Sequence, residues 1–328
     1  MKLLLDTNIW SYVADANAVP DLLRASKNVE FLVAPAMVAE ARAFPDPGLR
    51  KRLLEVMTHS RWKRLMPETY LEAEEIKSAL LSVRPRWGAI GASDRDFKRG
   101  RYEFLRRSGG FWDKARDDAP LPVTNESLRE ASENALARQE VRDIRDKFKN
   151  GVHQDRTKHL QHVTIDAGRF ILGTQTVDYW RLATAFHLKS ELRIYAAPYR
   201  EWLDYAVDVN AMLADEEQFD AVWFCELQPQ QLKRQWLRAS MEYLQRWHKP
   251  SDGSPADSQL TSHLLDADYF VTADKNFAKC IEKIHLEAPF ATAKAFKVSA
   301  GAKGIQELIE FSQADPLRSA AAQPATAT

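Results

Sequence analysis

A strand that stops on a carboxylate opens this chain, and a second stands near its far end. Lys2-Leu3-Leu4-Leu5-Asp6-Thr7-Asn8 and Tyr269-Phe270-Val271-Thr272-Ala273-Asp274 are short apolar runs that read as buried strands, each stopping on an aspartate. Strands apolar on both faces belong to parallel sheets, and the carboxyl ends of parallel strands meet along one edge, where ligands bind. Two aspartates brought to one edge from opposite ends of the sequence are a candidate metal site.

Around these strands, residues 1–83 alternate strand and helix as a parallel sheet requires. Helix is expected over Ile9–Ala25, strand over Val29–Ala34, and a helix that Pro35 opens at its favoured first position. The breaker Phe44-Pro45-Asp46-Pro47-Gly48 ends that helix. Leu49–Ser60 reads as helix, Trp62–Leu65 as a short strand, and Pro67–Val83 as an amphipathic helix.

From Arg84 to about His248 the periodicity is helical. A capping box at Ser127 and Glu130 precedes a charged helix that stops at Asn150-Gly151. Further helices are expected over Arg156–Leu172, Thr176–Lys189, Tyr199–Leu213 and Gln230–Trp247. The last spaces Leu232, Trp236, Leu237, Met241 and Leu244 for a core. After the polar breaker Lys249–Pro255 the α/β pattern returns, with helices over Asp257–Leu265, Asn276–Ile284 and Ile305–Phe311 and strands over Asp268–Thr272 and Ala295–Ser299. The expected architecture is an α/β domain, residues 1–83 with 254–311, interrupted by an all-helical insertion at 84–253. The Ala- and Pro-rich tail 312–328 has too little apolar bulk to pack and is expected to be disordered.

With 45% apolar residues in 328, the chain can bury a large core. Forty-six basic residues balance forty-six acidic ones, so nucleic-acid contact requires a local patch. The two cysteines, Cys225 and Cys280, match no zinc or disulfide spacing, which fits a reducing cytoplasm. Asp6 ends the first apolar run too early for a signal peptide, and no later run approaches a membrane span, so no membrane partner is expected.

Two further acids converge on the aspartate edge in this layout. Asp257 opens the helix leading into Asp274's strand, and a helix returning along a parallel sheet starts at that edge. The 17-residue interval accommodates about ten helical residues, a turn and about six strand residues. Glu40 is the lone charge in an otherwise apolar helical stretch, Pro35 to Ala41, and a buried carboxylate needs a partner. Each acid taken alone has a plainer reading: Asp257 as a helix cap, Glu40 as a satisfied structural carboxylate, Asp6 and Asp274 as turn residues. Four together repel unless a cation intervenes, and an oxygen-only set favours Mg²⁺ or Mn²⁺. Asp266 and Asp268, at the opposite edge, read as turn residues.

Leu3-Leu4-Leu5-Asp6-Thr7-Asn8, Glu40 after the second strand, Asp257, and Val271-Thr272-Ala273-Asp274-Lys275-Asn276-Phe277 together resemble the PIN-domain nuclease pattern over residues 1–83 and 254–311. The resemblance implies a PIN-like parallel sheet sandwiched by helices and a metal-dependent endoribonuclease leaving 5′-phosphate and 3′-hydroxyl ends. It assigns Asp6, Glu40, Asp257 and Asp274 as catalytic metal ligands, with Asn8 and Thr272 as supporting groups. Asn276 stands where many members carry another acid, and the long insertion departs from compact members.

Competing motifs fare worse. A haloacid-dehalogenase phosphatase would need a second aspartate where Asn8 stands, and no GxGxxG, GxxxxGK[ST] or HExxH occurs. His153, His159 and His162 lack a zinc-like frame. Residues 84–107 carry eight Arg/Lys against three acids, interleaved with Trp87, Phe97, Tyr102 and Phe104. Arg84, Arg86, Lys98, Arg99, Arg101, Arg106 and Arg107 can therefore guide a single strand, or else form a solvated face that its aromatics anchor. The expected partner is RNA, with a structure-specific DNA nuclease the alternative because the same carboxylates cut either polymer. A non-catalytic scaffold binding RNA or protein is the other class of answer. A protein partner or a second copy of the chain engaging the insertion is a further expectation.

Overall fold

The computed structural model describes residues 1–25, 29–117, 159–166, 176–193, 198–245 and 254–314. Its organising element is a five-stranded, all-parallel sheet: β1 (Lys2–Leu5), β2 (Glu30–Val33), β3 (Lys63–Arg64), β6 (Tyr269–Thr272) and β7 (Lys294–Lys297), in the order β3-β2-β1-β6-β7. Leu3, Leu4, Leu5, Phe31, Leu32, Val33, Phe270 and Val271 are buried, as strands covered on both faces require. The outer strands are short or bear lysines at their ends, which blunts the open edges. The chain runs outward from β1 through β2 to β3, then returns to β6 on β1's other side. The strand order therefore reverses between β1 and β6, where an open α/β sheet leaves a crevice at its carboxyl edge.

The helices ahead of the insertion are α1 (Thr7–Asp15), α2 (Val19–Ala25), α3 (Pro35–Arg42), α4 (Pro47–Met57) and α5 (Glu68–Val83). The helix expected over Ile9–Ala25 is thus two. Asn17 adopts φ 48°, a left-handed conformation that Asn tolerates, and Pro20 lacks the N–H a continuous helix needs.

The middle of the chain is not all-helical. It contributes α6 (Arg95–Leu105), α7 (Phe111–Arg116), α8 (Tyr179–Arg193), α9 (Pro198–Leu203), α10 (Val209–Ala214), α11 (Glu216–Ala221) and α12 (Lys233–Gln245). It also holds an antiparallel ribbon of β4 (Thr164–Asp166) and β5 (Thr176–Asp178). The β-branched Val163-Thr164-Ile165 and Thr176-Val177 lose χ1 freedom in a helix and pair as strands instead. The Ser127–Glu130 capping box, the Asn150-Gly151 stop, His153, residues 249–253 of the polar breaker and the tail from 315 lie outside the described residues.

After the breaker come α13 (Ser254–Thr261), a 3₁₀ turn at Ser262–Leu265, α14 (Lys275–Glu287) and α15 (Ala302–Gln313). The buried apolar residues of the sheet and of the helical region form one continuous cluster, in which Leu232, Trp236, Leu237, Met241 and Leu244 of the α12 region are all buried. A buried polar seam runs between α5 and α12. Fully buried Glu72 accepts from the Tyr199 hydroxyl, from Gln235 Nε2 at 2.9 Å and from Arg238 Nη1 at 3.4 Å. Asp266 and Asp268 stand at the edge opposite the crevice: Asp266 pairs with Arg234 and His263, and Asp268 accepts from the Lys2 N–H. No described helix is long and apolar enough to cross a membrane.

Candidate active site

Register delivers Asp6 to the crevice. Leu5 lies opposite Val271, and the Asp6 N–H continues the ladder to the Val271 carbonyl at 2.9 Å, so Asp6 is level with Thr272. Thr272, fully buried, donates its hydroxyl to Asp6 Oδ2 at 2.6 Å and accepts the Asp274 N–H at 3.0 Å. Asn8 Nδ2 reaches the same Asp6 oxygen at 3.3 Å. Asp6 occupies the cap position of α1 without a side-chain capping bond, so its carboxylate is directed to these partners rather than to its own helix.

Glu40 lies in the last turn of α3 and accepts the Thr7 hydroxyl at 2.6 Å. Neighbouring residues at the start of α1 thus tie the crevice together, Thr7 through Glu40 and Asn8 through Asp6. Asp257 does not cap α13. It sits in that helix's first turn and accepts from Gln245 Nε2 at 3.4 Å, at the end of α12. Asp274 does cap α14, where its Oδ1 accepts the N–H groups of Asn276 and Phe277 at 2.6 and 3.0 Å. The turn-residue reading of Asp274 is therefore correct for one of its two oxygens.

Asp6 and Asp257 feel the charges of their acidic neighbours. Burial, opposed by the Thr272 bond and reinforced by Glu40 and Asp274, raises Asp6 to about 6. Burial, then the charges of Asp6, Glu40 and Asp274, push Asp257 to about 8. Burial also raises Glu40, against the Thr7 bond. The buried Cys280 thiol goes up to about 12 through burial, then Asp257 and Asp274, which places that stretch of α14 against the same field. Yet among the described residues no group of three or more His, Cys, Asp or Glu is already gathered tightly enough to hold an ion. Two of these side chains are held instead by Thr7 and by the α14 backbone.

The electrostatics set a pH dependence. Asp6 and Asp257 hold their protons more tightly folded than unfolded. Their contribution to stability is therefore complete below about pH 4 and is lost as pH rises through about 6 and then about 8. Each unit costs about 1.4 kcal/mol per proton retained. In EDTA, the thermal midpoint of the wild type is expected to fall relative to Asp257→Asn between about pH 4 and 8 and to level off above that. Parallel profiles for the two proteins would show that Asp257 is not strained by its neighbours.

The basic segment divides. Arg84 pairs with Glu226, Arg86 with Asp215, Lys98 with Asp94, and Arg106 with Glu103, so these four have carboxylate partners. Arg99, Arg101 and Arg107 are exposed with no acidic partner among the described residues. Most of the interleaved aromatics anchor the segment. Trp87 is buried, Phe97 stacks on Tyr205 at 3.8 Å, and Phe104 lies 4.9 Å from Phe111, while Tyr102 is 61% exposed. His159 lies 5.5 Å from His162 and 3.9 Å from a Glu287 oxygen, tying the 3₁₀ turn at Leu160–His162 to α14.

Thr7, Gln245 and Cys280 are the neighbours that sequence reasoning did not assign. Thr7 stands within the first motif, whereas Gln245 carries no sequence signal because α12 reaches the crevice only through the tertiary fold. Comparison of the chain with protein families, with curated proteins and with solved structures returned no match.

Proposed function

We propose that this protein is a PIN-like, divalent-cation-dependent nuclease that hydrolyses phosphodiester bonds in RNA. The observation that carries the reading is that Asp6, tied to Thr272 at the switch point, lies in the field of Glu40 and Asp274, and Asp257 in the field of all three, which adds to burial in raising Asp6 to about 6 and Asp257 to about 8. Such an excess of negative charge suits a cation, and its all-oxygen donors suit Mg²⁺ or Mn²⁺. When bound, such an ion polarises a phosphate ester, activates water and neutralises the charge that develops during in-line displacement.

The chain's own residues prepare that chemistry. Asp257 gives up its proton on cation binding, so affinity rises with pH until about 8. Thr272 and Asn8 fix the orientation of Asp6, Thr7 fixes Glu40, and the α14 backbone fixes Asp274. Arg99, Arg101 and Arg107 are free to meet phosphates, with Tyr102 exposed among them as a stacking surface. Replacing those three arginines with Ala is expected to weaken binding of single-stranded RNA about tenfold or more. It should also flatten the plot of log affinity against log salt by about two units. An unaltered slope would take α6 out of the substrate path.

A binding scaffold without cleavage is the second reading, favoured by the use of one Asp274 oxygen as the cap of its own helix. Purified protein incubated with Mn²⁺ and matched RNA and DNA strands separates the readings. Preferential RNA cleavage supports the first, and preferential DNA cleavage moves the substrate to DNA. No cleavage together with no Mn²⁺-dependent thermal shift replaces the nuclease with the scaffold.

A further inference from the structure

Arg64 ends β3 at the same carboxyl edge as the acids, and Arg116 ends α7, which packs between α4 and α6. Both reach one acceptor. Arg116 Nη2 donates to the Thr58 carbonyl at 2.8 Å and Arg64 Nη2 donates to it at 3.3 Å, while Arg116 Nε holds the Thr58 hydroxyl at 3.2 Å. The two guanidinium groups therefore stand no more than ~6 Å apart, the two bonds laid end to end.

Thr58 caps the C-terminus of α4, and one arginine at that carbonyl is ordinary helix capping. Two exceed that need. Asp113 is the acid paired with them: its Oδ1 lies 3.2 Å from Arg116, while its Oδ2 is occupied by the Gly109 N–H at 2.8 Å. Arg61, exposed, adds to the same field, and His59 stands beside it as a neutral ring. Burial, then Arg116 and Arg61, lower His59, and burial, then Arg116, lowers Arg64.

Of Arg64's five donor hydrogens only one is spent on Thr58, and its Nε is buried without a partner. Its guanidinium lies 5.4 Å from the centre of the Trp112 ring, which holds the fork in place. A pre-positioned pair of cations with unspent donors matches a tetrahedral oxyanion, which two forks can bind with parallel hydrogen bonds.

We propose that Arg64 and Arg116, flanked by Arg61 and His59, form a phosphate subsite that holds a non-scissile backbone phosphate of the polynucleotide. The subsite rests on the nuclease reading for its ligand and on this geometry for its position. β3 lies two strands from β1, so the subsite is roughly 10 Å along the sheet edge from the acids, within a few nucleotides of the bond that is cut. Through α7 it also connects that edge to the outward arginines of α6.

The test is fluorescence anisotropy of a labelled twelve-nucleotide single-stranded RNA in EDTA, over a range of KCl, with inorganic phosphate as competitor. Arg64→Gln is expected to bind about fivefold to tenfold more weakly and to reduce the salt slope by about 0.7. Phosphate competition should weaken with it. Arg64→Lys should keep the slope while losing part of the affinity, because the charge remains and the fork is lost. Arg64 has a single bond to Thr58, so its variants test the subsite even if Arg116→Gln, which also removes the cap, fails to fold. Wild-type affinity and slope in Arg64→Gln overturn the proposal and leave the nuclease reading intact. Arg64-dependent phosphate binding in a protein that cuts nothing keeps the subsite and removes the nuclease.

Discussion

Asp6→Asn is expected to cut RNA in Mn²⁺ about a thousandfold more slowly than the wild type, with a thermal midpoint in EDTA equal to or above it. Asn retains an oxygen to accept the Thr272 hydroxyl at the place where Asp6 Oδ2 now does, at 2.6 Å, so the local fold has no reason to change. What disappears is a charge at the centre of the cluster. Asp6 is the acidic neighbour that raises Asp257 most, so the substitution also relieves Asp257 and lets it ionise at lower pH. A cation held by fewer charges binds more weakly, and the transition state loses several kcal/mol of stabilisation, which is three powers of ten in rate. The measurement pairs single-turnover cleavage with Mn²⁺ titration of the thermal midpoint. Cleavage within tenfold of the wild type would end Asp6's role as a ligand. A midpoint in EDTA several degrees below the wild type would make it a structural residue.

Glu72→Ala is expected to cost about 3–5 kcal/mol of stability, a loss of roughly 5 °C in thermal midpoint, with no direct effect on the crevice. Glu72 is fully buried, and its Oε2 collects the Tyr199 hydroxyl, the Gln235 amide and the Arg238 guanidinium. Burial first, and then Glu72 itself, raises the Tyr199 phenol well above its usual range, so it remains a donor at any physiological pH. Removing the carboxylate leaves the partly buried Arg238 guanidinium with Glu242 as its remaining acid and takes the acceptor from two buried hydrogen-bonding groups, which are then desolvated without return. Replacing Glu72 and Arg238 together by Met is expected to recover much of the loss, since a matched apolar pair leaves no orphaned charge. Urea denaturation of the single and double variants decides the matter. A single-variant cost below about 1 kcal/mol would mean that water already reaches the seam.

The acids of the crevice were legible in the sequence for a simple reason. A strand ending in Asp is a local pattern, and the spacing from Asp257 to Asp274 is a local length, so both survive without knowledge of the fold. Glu40 was visible as a lone charge in an apolar helix. The kink at Asn17 and the β4–β5 ribbon were missed because helical periodicity outweighed one left-handed residue and two short β-branched runs. The basic segment was legible as composition but not as function, since partners such as Glu226 and Asp215 lie more than a hundred residues away.

The amino-acid order alone dictated which residues are apolar, where strands end and which carboxylates those ends carry, because these depend on neighbours a few positions apart. Only the tertiary structure decided that β1 and β6 lie side by side with the chain reversing between them, that Gln245 of α12 meets Asp257, and that Arg64 and Arg116 share one carbonyl. Those outcomes depend on long-range packing around one continuous core, whose stability comes from surfaces brought together rather than from any segment's own preference.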